Sequence, residues 1–551
     1  MLAQFKVVMA QVNLHVGDIE SNTQLILDRT AQAIDELAAD MVVFPELSLT
    51  GYPPEDLLLR PSMALRINKA IQKILSMNIN AYVVIGHPLS EAGKLYNALS
   101  VIKSGELVGQ YRKQYLPNYQ VFDECRYFDA GEHCCVLKIG PIDVAFTICE
   151  DMWEAEPMLQ AKSAGAKLLI NINASPYHHN KLRERQEMLK QRALQGDMPI
   201  VYVNLVGGQD ELAFDGASMA VDSNGECKRL AASFSEGLYP VLIDIHGDKR
   251  CEIPPQAMAK ALSVEANIYH CLVMGVRDYV TKNGFKGIVL GLSGGIDSAV
   301  SMAIAVAALG KEAVHAVMMP FDYTSQLSKS AAQQQAQTQG VHYRSISIAA
   351  IYHAVTEALV EEFSGLSEDV TEQNIQARCR AVLLMAISNK KGLLVLTTGN
   401  KSEIAVGYST LYGDMAGGFD VLKDVPKTMV YRLAEYINSR VIADEDETEI
   451  IPQEVIDRPP SAELAADQVD QDNLPAYDVL DEILERYVEL DQSATTIMAA
   501  GYDEQVVKRV LTLVDMNEYK RRQSPIGVRL TQRGFGRDRR YPITNGWPLG
   551  E

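Results

Sequence analysis

Three short stretches of this chain carry residue types at spacings that could do chemistry. "TICEDMW" (147–153) sets Cys149 directly before Glu150 and Asp151. A thiolate is the reactive form of cysteine, and neighbouring carboxylates disfavour it. Cys149 is therefore either an inert core thiol or a nucleophile helped by a group elsewhere in the chain. "GLSGGIDS" (Gly291, Leu292, Ser293, Gly294, Gly295, Ile296, Asp297, Ser298) follows an apolar run and opens a helical pattern. Glycines let a backbone approach an anion closely, and a helix N-terminus points free N–H groups at it, so this is a candidate phosphate cradle. It lacks the Gly-Lys-Ser/Thr of a Walker A loop and the spacing of a dinucleotide fingerprint, and a generic Gly-rich turn would share its glycines. "TTGNKSE" (397–403) follows the apolar run "LLVLT", at the strand end where open α/β sheets place ligands.

These stretches must be held by more than one core, because 551 residues exceed what a single domain usually buries. The hydrophobic fraction is 47% and the charged fraction 22%, ordinary for a folded soluble chain. A formal net charge of −20 repels polyanions, which disfavours a nucleic-acid partner. The 8 cysteines include no CxxC pair, and none has zinc-ligand spacing, a pattern expected of a reducing cytoplasmic compartment. No signal peptide is expected at the N-terminus, and the longest apolar run, "SAVSMAIAVAALG", is about 13 residues, too short to span a bilayer.

Short apolar runs such as "FKVVMAQV", "MVVFPE", "AYVVIGHP", "DVAFTICED", "AKLLINI" and "MPIVYVNLVG" predict strands, and "NTQLILDRTAQAIDELAA" has helical spacing. They predict an α/β domain of two packed sheets over residues 1–248. "GDKRCEIPPQAMAKAL" loses periodicity, and residues 249–262 are expected to be a linker. Beyond it, residues 263–551 alternate helix and strand as in a doubly wound parallel sheet, and end in a basic tail from Lys520 to Arg540. The acidic, proline-containing stretch from residue 443 to 475 is expected to form an ordered loop or lid.

"GLSGGIDS" resembles the SGGxDS loop of the N-type ATP pyrophosphatases, and "TEQNIQARCRAVLLMAISN", "TTGNKSE" and "YGDMAGGFDVLKDVPKTMVYRLA" resemble the NAD synthetase family. The resemblance implies an adenine nucleotide alpha hydrolase-like domain in which ATP occupies the Gly291–Ser298 loop and meets Thr398. It implies that Asp297 and Glu403 hold Mg2+, which suits hard carboxylate oxygens beside phosphates. Asn374, Glu403 and Lys520 would bind deamido-NAD, the lysine facing phosphate. Amide formation on an adenylated carboxylate needs unprotonated ammonia, which is scarce near neutral pH.

The first half resembles a source of it. "VVFPELSLTGY" with Glu46, "YRKQYLPNYQVFDECRYF" with Lys113, and "TICEDMW" with Cys149 stand in the order of the Glu-Lys-Cys triad of the nitrilase superfamily, an α-β-β-α sandwich. That resemblance implies that Lys113 supports the thiolate and stabilises an oxyanion, and that Glu46 moves protons. Tyr119, Ser175 and Lys181 would bind glutamine, although some relatives carry arginine at the last position. His178 and His179 are adjacent and do not converge as an i, i+4 pair would, so a polar loop is expected there. Taken along nearly its whole length, the chain resembles the family that joins a nitrilase-like glutaminase to a synthetase. This implies a homo-oligomer built through the synthetase half, with an ammonia tunnel that the sequence does not itself display. An amidotransferase with another carboxylate acceptor, or a nucleotide sensor without catalysis, would be the alternatives.

Overall fold

The structure is a computed structural model that describes residues 3–443, 449–465, 468–472, 474–548 and 550. The chain divides into two compact units, residues 1–262 and 263–551.

The first unit runs β1 (Ala3–Gln11), α1 (Ile19–Leu37), β2 (Met41–Val43), α2 (Pro61–Ser76), β3 (Tyr82–Glu91), β4 (Lys94–Lys103), β5 (Glu106–Arg112), β6 (Cys135–Ile139), β7 (Ile142–Ile148), α3 (Glu156–Ser163), β8 (Leu168–Asn173), α4 (Lys181–Gly196) and β9 (Ile200–Asn204). A small hairpin, β10 (Val206–Gln209) and β11 (Leu212–Asp215), precedes β12 (Met219–Val221), β13 (Cys227–Leu230), β14 (Gly237–Ile245) and β15 (Cys251–Glu252). Among the described residues these build a seven-stranded sheet, β15-β14-β1-β2-β3-β4-β5, and a six-stranded sheet, β13-β12-β9-β8-β7-β6.

Side chains alternate across a strand, so each sheet has two faces to bury. Val7, Met9, Val43 and Val84 of one sheet meet Val144, Phe146, Ile148 and Ile170 of the other in one apolar cluster. The opposite parity, Val8, Val42 and Ile85, packs on Ile26 of α1 and Ile67 of α2. Ala145, Leu169 and Ile200 pack on α3 and α4 through Met158 and Leu189. The layers are helix, sheet, sheet, helix, as the sequence predicts.

The stretch 249–262 is tied to this unit over much of its length. Cys251 pairs with Ile245, the Gln256 side chain bonds both backbone groups of Leu242, and Met258 bridges to Leu230.

The second unit contains α5 (Val264–Lys282), β16 (Ile288–Gly291), α6 (Ile296–Leu309), β17 (Val314–Met318), α7 (Gln326–Gln339), β18 (His342–Ser345), α8 (Ala349–Ala358), α9 (Val370–Lys391), β19 (Leu394–Thr397), α10 (Lys401–Val406), β20 (Phe419–Asp420), α11 (Lys427–Ala443), α12 (Gln453–Asp457), α13 (Tyr477–Leu484), α14 (Ala494–Ala499), α15 (Glu504–Met516) and α16 (Glu518–Arg521). Its described strands form one parallel sheet in the order β18-β17-β16-β19-β20. The strand order reverses between β16 and β19, so the loops after these two strands border the crevice where such sheets bind ligands.

The basic tail is folded into this unit. Arg521 donates to Ala405 O at 2.6 Å, Arg529 pairs with Asp538 at 2.5 Å, and Arg539 pairs with Glu518 at 3.3 Å. Residues 444–448, 466–467 and 473 of the expected acidic loop lie outside the described residues.

Candidate active sites

In the first unit the three triad residues lie just beyond strand ends. Glu46 follows β2, Lys113 follows β5 and Cys149 follows β7, and all three are buried. Lys113 Nζ donates to Glu46 Oε1 at 2.8 Å. Glu46 Oε1 also accepts from Asn97 Nδ2 at 2.7 Å, and its Oε2 accepts from the Ala174 N–H at 2.9 Å. Cys149 has φ 43°, in the left-handed region that a residue with a Cβ adopts only under strain. The turn that β7 makes there is sharp.

Asp151 explains why an acid follows the cysteine so closely. Its carboxylate accepts from the backbone N–H groups of Ile148 (2.9 Å), Gln114 (3.0 Å) and Tyr115 (2.9 Å), and from Tyr111 Oη at 2.8 Å. It clamps the Cys149 turn to the segment that leaves Lys113, and burial raises its pKa to about 6. Glu150 accepts from Tyr119 Oη at 3.0 Å.

A second carboxylate, not singled out from the sequence, completes the cluster. Glu124 takes Lys113 Nζ at 2.9 Å on both oxygens and accepts from Tyr52 Oη at 3.0 Å. It lies within the quoted "YRKQYLPNYQVFDECRYF", and only the fold of that loop brings it back to the lysine. Burial lifts the Glu124 carboxyl to about 7, against the pull of Lys113. Burial also works against the Lys113 ammonium, but Glu124 and Glu46 overcome it and hold its pKa well above the ordinary value. The Cys149 thiol is pushed well up, first by burial and then by Glu46, and Lys113 only partly offsets this. Lys113 acts in the direction the resemblance implies, toward the thiolate, while burial and Glu46 act against it.

Of the residues matched to glutamine, Tyr119 is half exposed and Ser175 is buried. The Ser175 N–H donates to Asn204 Oδ1 at 2.9 Å, and its Oγ and carbonyl receive the buried Arg185 guanidinium, which also pairs with Asp215 at 2.7 Å. Lys181 lies 4.1 Å from the centre of the Trp153 ring and 3.2 Å from Glu184, with its pKa lowered by burial. His178 Nε2 lies 3.4 Å from Glu184.

In the second unit a cavity of about 290 Å³ opens at the switch point. Gly291, Leu292, Ser293, Gly295, Ile296, Asp297 and Ser298 line it from one side, and Thr398 and Glu403 from the other. Gly294 does not line it. With φ 80°, it packs against α7 so closely that a Cβ would stand 2.3 Å from Ser328 O. Asp297 and Glu403 share one cation: Lys427 Nζ is 2.6 Å from Asp297 Oδ2 and 3.1 Å from Glu403 Oε1. Asn400, the N-cap of α10, donates to the other Asp297 oxygen at 2.9 Å and so ties "TTGNKSE" to "GLSGGIDS".

The donor chemistry fits magnesium. Two hard carboxylates converge at the cavity wall, and no cluster of three or more protein ligands exists among the described residues. Mg2+ characteristically takes one or two carboxylates and completes its shell with phosphate oxygens and water. Burial, with Asp297 adding to it, raises the Glu403 carboxyl to about 8, and an arriving cation would lower it.

Asn374 and Lys520 stand apart from this wall. Asn374 Oδ1 accepts from Thr410 Oγ1 at 2.8 Å, and Lys520 Nζ donates to the carbonyls of Gly407 (2.8 Å) and Ser409 (2.9 Å).

Comparison with known proteins agrees with both halves. Residues 6–247 match the family described as carbon-nitrogen hydrolase, and residues 268–524 match NAD synthase. The glutamine-dependent NAD(+) synthetase of Acinetobacter baylyi is 47% identical over 546 residues, covering 99% of both chains. The chain belongs to the glutamine-dependent NAD(+) synthetases. Within that family, the Thermotoga maritima protein is 43% identical over 577 residues, again covering 99% of each chain. A solved Acinetobacter baumannii synthetase, in complex with adenosine diphosphate, superposes with a TM-score of 0.79 at 46% identity and covers 100% of both chains. The Cytophaga hutchinsonii synthetase, at 22% identity and a TM-score of 0.83, speaks to the fold alone.

Proposed function

We propose that this synthetase amidates deamido-NAD to NAD with ATP, and that the ammonia comes from glutamine hydrolysed in its own first unit. The observation that carries the reading is the buried Glu46–Lys113 pair at 2.8 Å beside Cys149. Glu46 takes the thiol proton as Sγ bonds to the carboxamide carbon of glutamine. The Lys113 ammonium stabilises the oxyanion that forms. The C–N bond then breaks, Glu46 returns the proton, and ammonia leaves a glutamyl thioester. Water, deprotonated by Glu46, attacks that thioester, releasing glutamate and restoring the thiol. Tyr119, Ser175 and Lys181 hold the glutamine.

In the second unit the N–H groups and glycines of residues 291–298, with Thr398, hold ATP. Asp297 and Glu403 are the residues that would hold Mg2+, which supplies charge neutralisation on the phosphates. A carboxylate oxygen of deamido-NAD bonds to the α-phosphorus and pyrophosphate leaves. Ammonia then bonds to the acyl carbon and AMP departs. Asn374, Glu403 and Lys520 serve deamido-NAD in this reading, the last two by giving up the internal partners they now hold.

Self-association through the second unit is part of the proposal. Val382 is 62% exposed and Leu366 73%, apolar surface that a partner copy would cover. A cytoplasmic setting fits the free cysteines and the absence, among the described residues, of any helix apolar enough to cross a membrane.

The test is NAD formation and AMP release from deamido-NAD, ATP and magnesium, with either glutamine or ammonium as nitrogen source. AMP release that depends on another carboxylate would redirect the reading to a different acceptor. No AMP with any acceptor would leave only a nucleotide sensor.

A further inference from the structure

A triphosphate entering the second unit's cavity needs cations, and three line it among the described residues: Arg380, Lys427 and Arg458. Lys427 is matched by Asp297 and Glu403. The Nε of Arg380 is turned to Met319 O at 3.1 Å. Arg458 is placed differently. It caps the C-terminal end of α12 in extended backbone, and its Nη1 donates to Ser328 Oγ at 2.7 Å. Ser328 is in the first turn of α7, against which Gly294 packs. The other edge of the guanidinium lies over the phosphate loop, with Nη2 3.6 Å from where a Cβ on Gly295 would stand. Gly295 begins α6 without a side-chain cap, so the first N–H groups of that 14-residue helix face the same space.

Arg458 forms a long ion pair with Glu463 through Nη1 only, which leaves its Nη2–Nε edge toward the loop. Glu463 is 3.7 Å from Nη1, and its Oε1 already accepts from Ser325 Oγ and Ser328 Oγ, both at 2.8 Å. The 458–464 segment is also held by Gln376 Nε2 on Leu464 O at 3.1 Å. Removing the arginine would leave both attachments in place.

We propose that Arg458 binds the leaving pyrophosphate. This rests on the synthetase reading above. Ser328 fixes one edge of the guanidinium, and the Nη2–Nε edge donates to the β- and γ-phosphoryl oxygens. A planar fork suits paired phosphate oxygens better than a lysine does. In the adenylation step the acceptor carboxylate oxygen bonds to the α-phosphorus while the bond from that phosphorus to the α–β bridging oxygen breaks. The electron pair leaves on pyrophosphate, so negative charge grows on the group that Arg458 faces. The contact is stronger in the transition state than with bound ATP, and it belongs to kcat as well as to ATP binding.

The experiment uses the full chain with free ammonium, which bypasses the first unit. R458A, R458K and E463Q are compared for ATP kinetics, for deamido-NAD KM, and for inhibition by added magnesium pyrophosphate. For R458A the expected loss is about 100-fold in kcat/KM for ATP, with pyrophosphate inhibition weakened about tenfold and deamido-NAD KM unchanged. R458K should recover part of this. E463Q should keep wild-type inhibition, because the carboxamide oxygen that replaces the carboxylate can still accept from the two serines.

Unchanged pyrophosphate inhibition in R458A would overturn the assignment. An equal loss in E463Q would overturn it too, by making Arg458 merely the partner of Glu463. Calorimetric titration of wild type and R458A with magnesium pyrophosphate reads the same contact without turnover. If wild type makes no AMP from deamido-NAD, the synthetase reading fails, and this titration still decides Arg458.

Discussion

Each candidate site holds a buried lysine between two carboxylates, and the two clusters differ in what surrounds them. Lys113 stands between Glu46 and Glu124, with the lysine and Glu46 side chains fully covered and Glu124 6% exposed. Lys427 stands between Asp297 and Glu403, each of which is 18% exposed at the wall of the cavity. The first cluster is closed, which suits the covalent step proposed for it, because a dry environment strengthens every charge that moves. The second is open on one side, where a polyanion and its counter-ion can enter and take over the lysine's partners. In the proposed reading the same pairing of charges handles protons where it is sealed and receives ligands where it is open.

The largest effects should separate the two clusters outright. Cys149→Ala is expected to abolish glutamine-dependent NAD synthesis and leave the ammonium-dependent rate near wild type, most visibly at alkaline pH. Asp297→Ala should lower synthesis from either nitrogen source by about 1,000-fold. Loss of the ammonium rate in a folded Cys149→Ala protein would mean that the cysteine holds structure. A normal ammonium rate in Asp297→Ala would remove its metal role.

Stability should sharpen the contrast. Lys113→Met strands buried carboxylates and should cost about 3–5 kcal/mol in urea unfolding of its unit, whereas Lys427→Met should cost about 1–2 kcal/mol because its acids reach water. Equal costs would deny that the clusters differ in exposure.

A smaller effect is expected for Glu403→Gln: about a tenfold rise in the magnesium concentration needed for half-maximal rate, with one anionic ligand gone and the shape kept. An unchanged magnesium titration would reduce Glu403 to a helix residue.

The smallest is a pH slope. The folded-state pKa of Glu124 is raised from 4.5 to about 7. The folded form therefore binds the extra proton, and the associated stability is full below pH 4.5 and is lost as pH rises through 7. Glu124→Gln should flatten that part of the stability–pH curve. An unaltered slope would place the titration elsewhere.

The sequence exposed what is local and left out what the fold assembles. The loops "GLSGGIDS" and "TTGNKSE" follow runs of apolar residues, and those runs are the two central strands β16 and β19, buried as parallel strands must be. Glu46 and Cys149 stand at the ends of apolar runs in the same way, whereas Lys113 follows the mixed stretch "ELVGQYR" and is singled out by resemblance alone. Glu124 is marked by neither, because an irregular loop between β5 and β6 returns it to Lys113. Lys427 was quoted within a longer string, but its place between two acids depends on how α11 packs. The upward push on the Cys149 thiol comes first from burial, which no neighbour in sequence reports. Two-residue β15 is too short to show alternation, so its stretch reads as linker. The basic tail shows no periodicity that would reveal its partners, and Arg521, Arg529 and Arg539 find theirs in the folded unit.

The burial of Cys149 has a consequence for oxidative damage. Peroxide attacks thiolates, and attack follows access as well as ionisation. Cys125 and Cys134 are exposed, while Cys149 is buried with its pKa raised. Mild peroxide should mark the exposed pair first in a mass-spectrometric time course, with glutaminase activity outlasting their modification. Early sulfenylation of Cys149 would show that the nucleophile is ionised at rest. In the proposed glutaminase reading, the fold keeps its nucleophile covered from oxidants.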